Sequence, residues 1–121
     1  MQFEDLVVWK RAVKISAELY KELKHLKDYS FRDQITRSGL SIPSNIAEGF
    51  ERGMTKECVH FLAYAKGSCG ELFTQIMIGK EAGYIPEKQC ERWVQETKEI
   101  AAMLGSLMKT RSRFAQEKRY I

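Results

Sequence analysis

The run Gln34-Ile-Thr-Arg-Ser-Gly-Leu-Ser-Ile-Pro-Ser-Asn-Ile-Ala-Glu-Gly49 keeps helical spacing while carrying two residues that helix interiors usually exclude. Ile35, Ile42 and Ile46 recur at helical steps and share one apolar face. Gln34, Arg37, Ser41, Asn45, Glu48 and Arg52 fall at steps of three and four beside it and form a polar ladder. Gly39 and Pro43 both weaken a helix interior, Pro43 because it lacks an N–H and its ring clashes with the preceding turn. A helix that survives both must be held by its neighbours, with a bend expected near Pro43 and a local loosening at Gly39.

Three further segments carry helical stripes. In the first, roughly Glu4 to Lys27, Val8, Ala12, Ile15, Leu19, Leu23 and Leu26 share a face, with Lys10, Lys14, Lys21 and Lys24 opposite. The second, containing the run above, spans roughly Ser30 to Arg52, with Ser30 as the expected N-cap and Gly53 at its end. The third starts at Thr55 as N-cap, faces a core with Cys58, Phe61, Leu62, Ala65, Cys69, Leu72 and Ile76, and closes at Gly83. The fourth begins at Pro86 and continues through Cys90, Trp93, Thr97, Ile100, Leu104 and Met108. Turns of a few residues make consecutive helices antiparallel neighbours. The reading is all-α: a single up-down-up-down four-helix bundle over residues 1–121, with a basic tail from about Lys109. Its 121 residues match one domain, and 44% hydrophobic content suffices for one core.

Charge in the apolar stretches leaves no run of the ~18 residues a membrane span needs. The acidic start Met1-Gln-Phe-Glu-Asp-Leu6 does not resemble a secretory signal, so a cytoplasmic protein without membrane contact is expected. Cys58, Cys69 and Cys90 are odd in number and widely spaced, which suits reduced core thiols better than disulfides or zinc. After residue 108 the basic residues Lys109, Arg111, Arg113, Lys118 and Arg119 face only Glu117, an excess equal to the whole formal net charge of +4. Localised positive charge favours an anionic partner. In an up-down bundle the start of helix one, the turn between helices two and three and the end of helix four lie together. Lys10, Arg11, Lys14, Arg52, Lys56, Lys109, Arg111 and Arg113, with Arg119 beyond them, are therefore candidate phosphate contacts. Glu4, Asp5, Glu51 and Glu57 dilute that end, and a merely solvated surface is the alternative.

Catalytic constellations are scarce. Glu22-x-x-His25 and Glu57-x-x-His60 have the spacing of di-iron bundle ligands, but antiparallel packing places the two histidines at opposite ends. Gly67 and Gly70 lack the lysine and preceding strand of a phosphate loop, and no serine or cysteine has a histidine placed by a local signature. No metal, cofactor or enzymatic activity is expected. The polar ladder has two readings: Asn45 and Glu48 present a binding surface, or they join a buried network with groups such as Ser68 and Glu71 that fixes helix register. The network is favoured, because buried polar groups must be paired.

Helix three also carries Ala63, Gly67, Gly70 and Thr74 on the side opposite its core face, with Phe73, Met77 and Ile78 extending the apolar surface. Each interior glycine weakens a helix by ~1 kcal/mol relative to alanine, which close approach of another helix would offset. Ala63, Gly67, Gly70, Phe73 and Met77 are therefore candidate subunit-interface residues.

The motifs Phe3-Glu-Asp-Leu-Val-Val-Trp-Lys10, Gln34-Ile-Thr-Arg37, Ser41-Ile-Pro-Ser-Asn-Ile-Ala-Glu-Gly49, Phe61-Leu62, Gly67-Ser68 and Glu71 occur in order. Together they resemble the 23S rRNA intervening-sequence protein family, bacterial four-helix bundles related to the accessory variability protein of diversity-generating retroelements. That resemblance implies a homopentameric ring and nucleic acid as partner class. The expected function is non-enzymatic, low-specificity binding of RNA or DNA by an oligomer; a structural adaptor for a protein partner is the rival.

Overall fold

The computed structural model describes residues 2–119, apart from the side chains of residues 115 and 117–119. After a short 3-10 turn at Phe3–Asp5 come α1 (Val7–Leu23), α2 (Tyr29–Glu51), α3 (Lys56–Glu81) and α4 (Glu87–Arg119). Each helix packs on the next and α4 closes against α1, giving the four-helix bundle that the stripes and short turns require. The described residues contain no strand. None of the helices is long and apolar enough to cross a membrane, among the residues described.

The expected helix limits shift where local chemistry differs from the simple pattern. Leu6 takes an extended conformation, so α1 starts at Val7 instead of Glu4. Asp28, not Ser30, caps α2: its carboxylate accepts the Phe31 N–H at 3.1 Å. Thr55 precedes α3 as expected, although its hydroxyl makes no cap bond. Gly53 and Gly83 have φ of 85° and 79°, the left-handed values that let the chain leave α2 and α3 sharply. The basic segment from Lys109 continues α4 as helix.

The four stripes meet in one core. Ile15, Leu19, Ile35, Ile42, Ile46, Leu62, Leu72, Ile76, Trp93, Ile100 and Leu104 are all essentially inaccessible. Thr97, buried among them, donates its hydroxyl proton to the Trp93 carbonyl at 2.7 Å, which satisfies a polar group without a partner helix.

Gly39 and Pro43 are both buried within an uninterrupted α2. The expectation that Gly39 loosens this helix is corrected by its surroundings: an added Cβ there would stand 2.5 Å from Leu19 Cδ1. Glycine allows α2 to lie against α1. Gly49 does the same toward α3, where an added Cβ would meet the Cys58 carbonyl at 3.1 Å and Phe61 Cβ at 3.2 Å. At Gly67 and Gly70, by contrast, nothing lies within 4 Å of such a Cβ.

This contrast gives a measurable difference. Gly39→Val should destabilise the bundle by about 1–3 kcal/mol through overpacking. Gly67→Ala should stabilise each chain by up to about 1 kcal/mol through helix propensity. Chemical denaturation reads both, and equal effects at the two positions would contradict the assigned packing.

Candidate nucleic-acid interface

The basic residues divide according to whether a carboxylate or ring already engages them. Arg11 Nη2 donates to Glu96 Oε1 at 2.5 Å and Glu99 Oε1 at 2.6 Å, and its Nε donates to Glu96 Oε2 at 2.9 Å. Hydrogen bonds to these two carboxylates raise the Arg11 pKa above its ordinary value. Arg92 donates to Glu18 across the same α1–α4 seam, and that bond holds the Glu18 carboxyl below its usual range. Arg52 donates to Glu48 at 3.1 Å and Glu57 at 2.9 Å, and its guanidinium stands 5.2 Å from the Phe61 ring centroid. Arg111 is only 8% exposed, stacks 4.6 Å from the Phe50 ring, and leaves its buried Nε without a hydrogen-bond partner. These side chains brace helix contacts, so Arg11, Arg52 and Arg111 differ from the exposed candidates Lys10, Lys14, Lys56, Lys109 and Arg113. The side chain of Arg119 lies outside the described residues.

The structure also separates residues that the topology was expected to gather. Arg11 meets Glu96 and Glu99, whereas Arg111 lies on Phe50 beside Cys58. Glu99 and Arg111 are about 18 Å apart along α4 at 1.5 Å per residue. The reason is length: α1 has 17 residues and α4 has 33, so α4 continues well past the start of α1. Lys56 opens α3 at the end occupied by Arg111, while Lys10 and Lys14 flank Arg11 farther along the bundle.

A groove along α4, closed on one side by Lys66 of α3, brings together two of these exposed candidates, Lys109 and Arg113. It has a volume of about 740 Å³, and its charged lining residues are Lys66, Lys109 and Arg113, with the hydroxyls of Ser106 and Ser112 between them. Among the described residues no acidic one lines it. No ion pair within the described residues engages these three cations. Ala101, Ala102 and Gly105 keep the floor low, and an added Cβ at Gly105 would sit 3.7 Å from Lys66 Nζ. Sequence reasoning missed Lys66 because it treated helix three as an apolar stripe. The signal was available: antiparallel α3 and α4 put the one lysine between Ala63 and Gly70 beside the segment leading into Lys109.

The polar ladder splits into parts. Ser41 donates to Ser68 Oγ at 2.6 Å, joining α2 to α3, and Asn45 Nδ2 donates to the Ser41 carbonyl at 2.8 Å within its own helix. Glu48 is occupied by Arg52. Gln34, Arg37 and Ser41 line a cleft of about 400 Å³ with Ser38, Ser68, Glu71 and Gln75, and the buried Gln75 Oε1 lacks a donor. Of the interface candidates, Ala63, Gly67, Gly70 and Met77 are exposed on the single chain, and Phe73 is half-buried at the α4 seam. Burial pushes the Cys69 thiol up to about 12 and raises Cys58 as well, so neither is primed as a thiolate. Among the described residues no three His, Cys, Asp or Glu side chains gather to hold a metal.

The Arg11 pair predicts a stability effect that salt reduces. Arg11→Gln should lower stability by about 1 kcal/mol at most, since the pair is partly exposed. The difference should shrink in thermal melts at high ionic strength. A salt-independent loss would mean that packing of the arginine stem, not its charge, is what α4 requires.

Comparison with known proteins places this geometry in a lineage. A solved structure from Bacteroides thetaiotaomicron, described as a protein with unknown function from the S23 ribosomal protein family, superposes with a TM-score of 0.79 at 26% identity. The match covers 85% of this chain and 99% of that one. No curated protein matches the chain. The family model described as 23S rRNA-intervening sequence protein matches residues 4–106, nearly the whole bundle. The chain therefore belongs to the 23S rRNA-intervening sequence protein family.

Proposed function

We propose that this chain is a non-enzymatic, oligomeric, cytoplasmic bundle protein that binds RNA or DNA through phosphates along the α3–α4 groove. The observation that carries this reading is the set Lys66, Lys109 and Arg113, which among the described residues makes no ion pair, in a groove that no described acidic residue lines. Four other arginines are already engaged: Arg11, Arg52 and Arg92 are bound to carboxylates, and Arg111 is buried against a ring. Lysine and arginine contacts to phosphates give affinity with little base information, so discrimination among sequences is low. Lys10, Lys14 and Lys56 add exposed charge outside the groove. The family description, which refers to 23S rRNA, supports a nucleic-acid partner.

Assembly is the second half of the proposal. Tyr64 is exposed on α3 one turn from the open Gly67 position, Met77 and Ile78 are exposed about 15 Å farther along the same helix, and Val13, Tyr20 and Leu40 are exposed on α1 and α2. Two separate apolar regions suit a head-to-tail contact, which closes into a ring when the rotation permits. Five subunits is the number implied by the family resemblance.

Electrophoretic titration of duplex DNA against salt tests the first half. Changing Lys66, Lys109 and Arg113 together to glutamine should reduce the salt slope by about 0.9 per lost contact, about 2.7 in all. If the parent binds no nucleic acid even at low salt, the scaffold for a protein partner becomes the better reading. Sedimentation tests the second half: Gly67→Leu should shift the protein toward monomer while preserving helical content. A parent that sediments as a monomer at micromolar concentration would end the ring proposal.

A further inference from the structure

The basic groove does not stop at Lys66. An apolar slot of about 310 Å³ continues from it along the same α3–α4 seam, sharing Lys66 and Ala101 with the groove. This volume is at the small end of ligand pockets, which run about 300–1,000 Å³. Phe73 forms one side, and Lys98 Nζ stands 5.4 Å from its ring centroid, so an aromatic surface and a cation are presented together. Gly70 lies bare beside them, with nothing within 4 Å of the place a Cβ would occupy. Among the described residues no acidic one lines the slot. The seam thus has an aromatic end flanked by Lys66 and Lys98 and a basic end at Lys109 and Arg113.

We infer that this seam takes single-stranded nucleic acid, with an unstacked base in the slot against Phe73 and neighbouring phosphates on Lys66, Lys98, Lys109 and Arg113. The inference rests on the phosphate-binding proposal and adds the strandedness of the ligand. A duplex keeps its bases stacked and paired inside, so an apolar slot offers it nothing. A splayed base can enter, leaving its phosphates at the cationic rim. Lys98 and Arg113 are about 22 Å apart along α4, so the cationic track is long enough to meet several successive phosphates. Aromatic stacking beside a cationic track is how sequence-tolerant single-strand binders combine affinity with low specificity. An acidic peptide would match the charge, but it has no requirement for the aromatic face.

Fluorescence anisotropy with an unstructured oligouridylate, an oligothymidylate and a blunt duplex of equal length tests this on the full chain. Both single strands should bind more tightly than the duplex. Phe73→Ala should weaken them about fivefold or more while leaving duplex affinity unchanged. Phe73→Leu, which preserves apolar volume, separates lost stacking from lost folding: with melting unchanged, it too should weaken single-strand binding selectively. If both Phe73 variants bind single strands like the parent, the inference is overturned. In that case a loss of all binding on changing Lys66, Lys109 and Arg113 to glutamine would leave the phosphate proposal standing. Absence of binding to every nucleic acid at low salt overturns both. Poly-L-glutamate binding with equal affinity and equal dependence on Phe73 would make the ligand an acidic peptide and also overturn the inference.

Discussion

The close seating of α2 between α1 and α3 is the contact on which the rest of the bundle depends. Gly39 removes the side chain that would strike Leu19, and Gly49 removes the one that would strike the Cys58 carbonyl and Phe61. Between these points Ser41 reaches Ser68 at 2.6 Å, a short polar link that disfavours sliding of α3 along α2. The poor intrinsic helix propensity of this segment is thus offset by packing on both sides. Once α2 and α3 are in register, the antiparallel turn at Gly83 sets α4 against α3, and the spacing of Lys66 from Lys109 and Arg113 follows.

Much of this was legible in the sequence, and the exceptions have physical causes. The apolar stripes named the core because helical periodicity is a local property that burial then exploits: Ile15, Leu62, Ile76 and Leu104 all lie where their spacing puts them. Gly39 misled because propensity counts only the cost to an isolated helix, whereas its value lies in a neighbour, Leu19, that no local pattern reveals. Charge misled in a similar way. Counting cations located a basic end, but Arg11 and Arg52 are held by Glu96, Glu99, Glu48 and Glu57, and two of those partners are more than eighty residues away from Arg11 in sequence. The groove residue Lys66 was hidden because a single lysine acquires meaning only when α4 is placed beside it.

The division of charge follows from where helices meet. At the α1–α4 seam, Arg11 of α1 pairs with Glu96 and Glu99 of α4, and Arg92 of α4 pairs with Glu18 of α1, in partly exposed pairs that contribute modestly to stability and orient the helices. At the α3–α4 seam the facing residues are small, so the seam remains open and its lysines stay in solvent. Glycine and alanine therefore have two uses in one chain: buried at Gly39 and Gly49 they bring helices together, and at the exposed Gly70 and the half-buried Ala101 and Gly105 they leave a channel along the seam. The first use builds the fold. The second leaves cations available to a partner.

Hydrogen–deuterium exchange of the full chain with and without an oligouridylate tests the central claim, that the open α3–α4 seam is where this bundle meets its ligand. Exchange should slow in peptides spanning 66–73 and 98–113, with the α1 segment around Lys10 and Lys14 unchanged. Protection confined to α1, or absent from both helices of the seam while the oligonucleotide is bound, would contradict it.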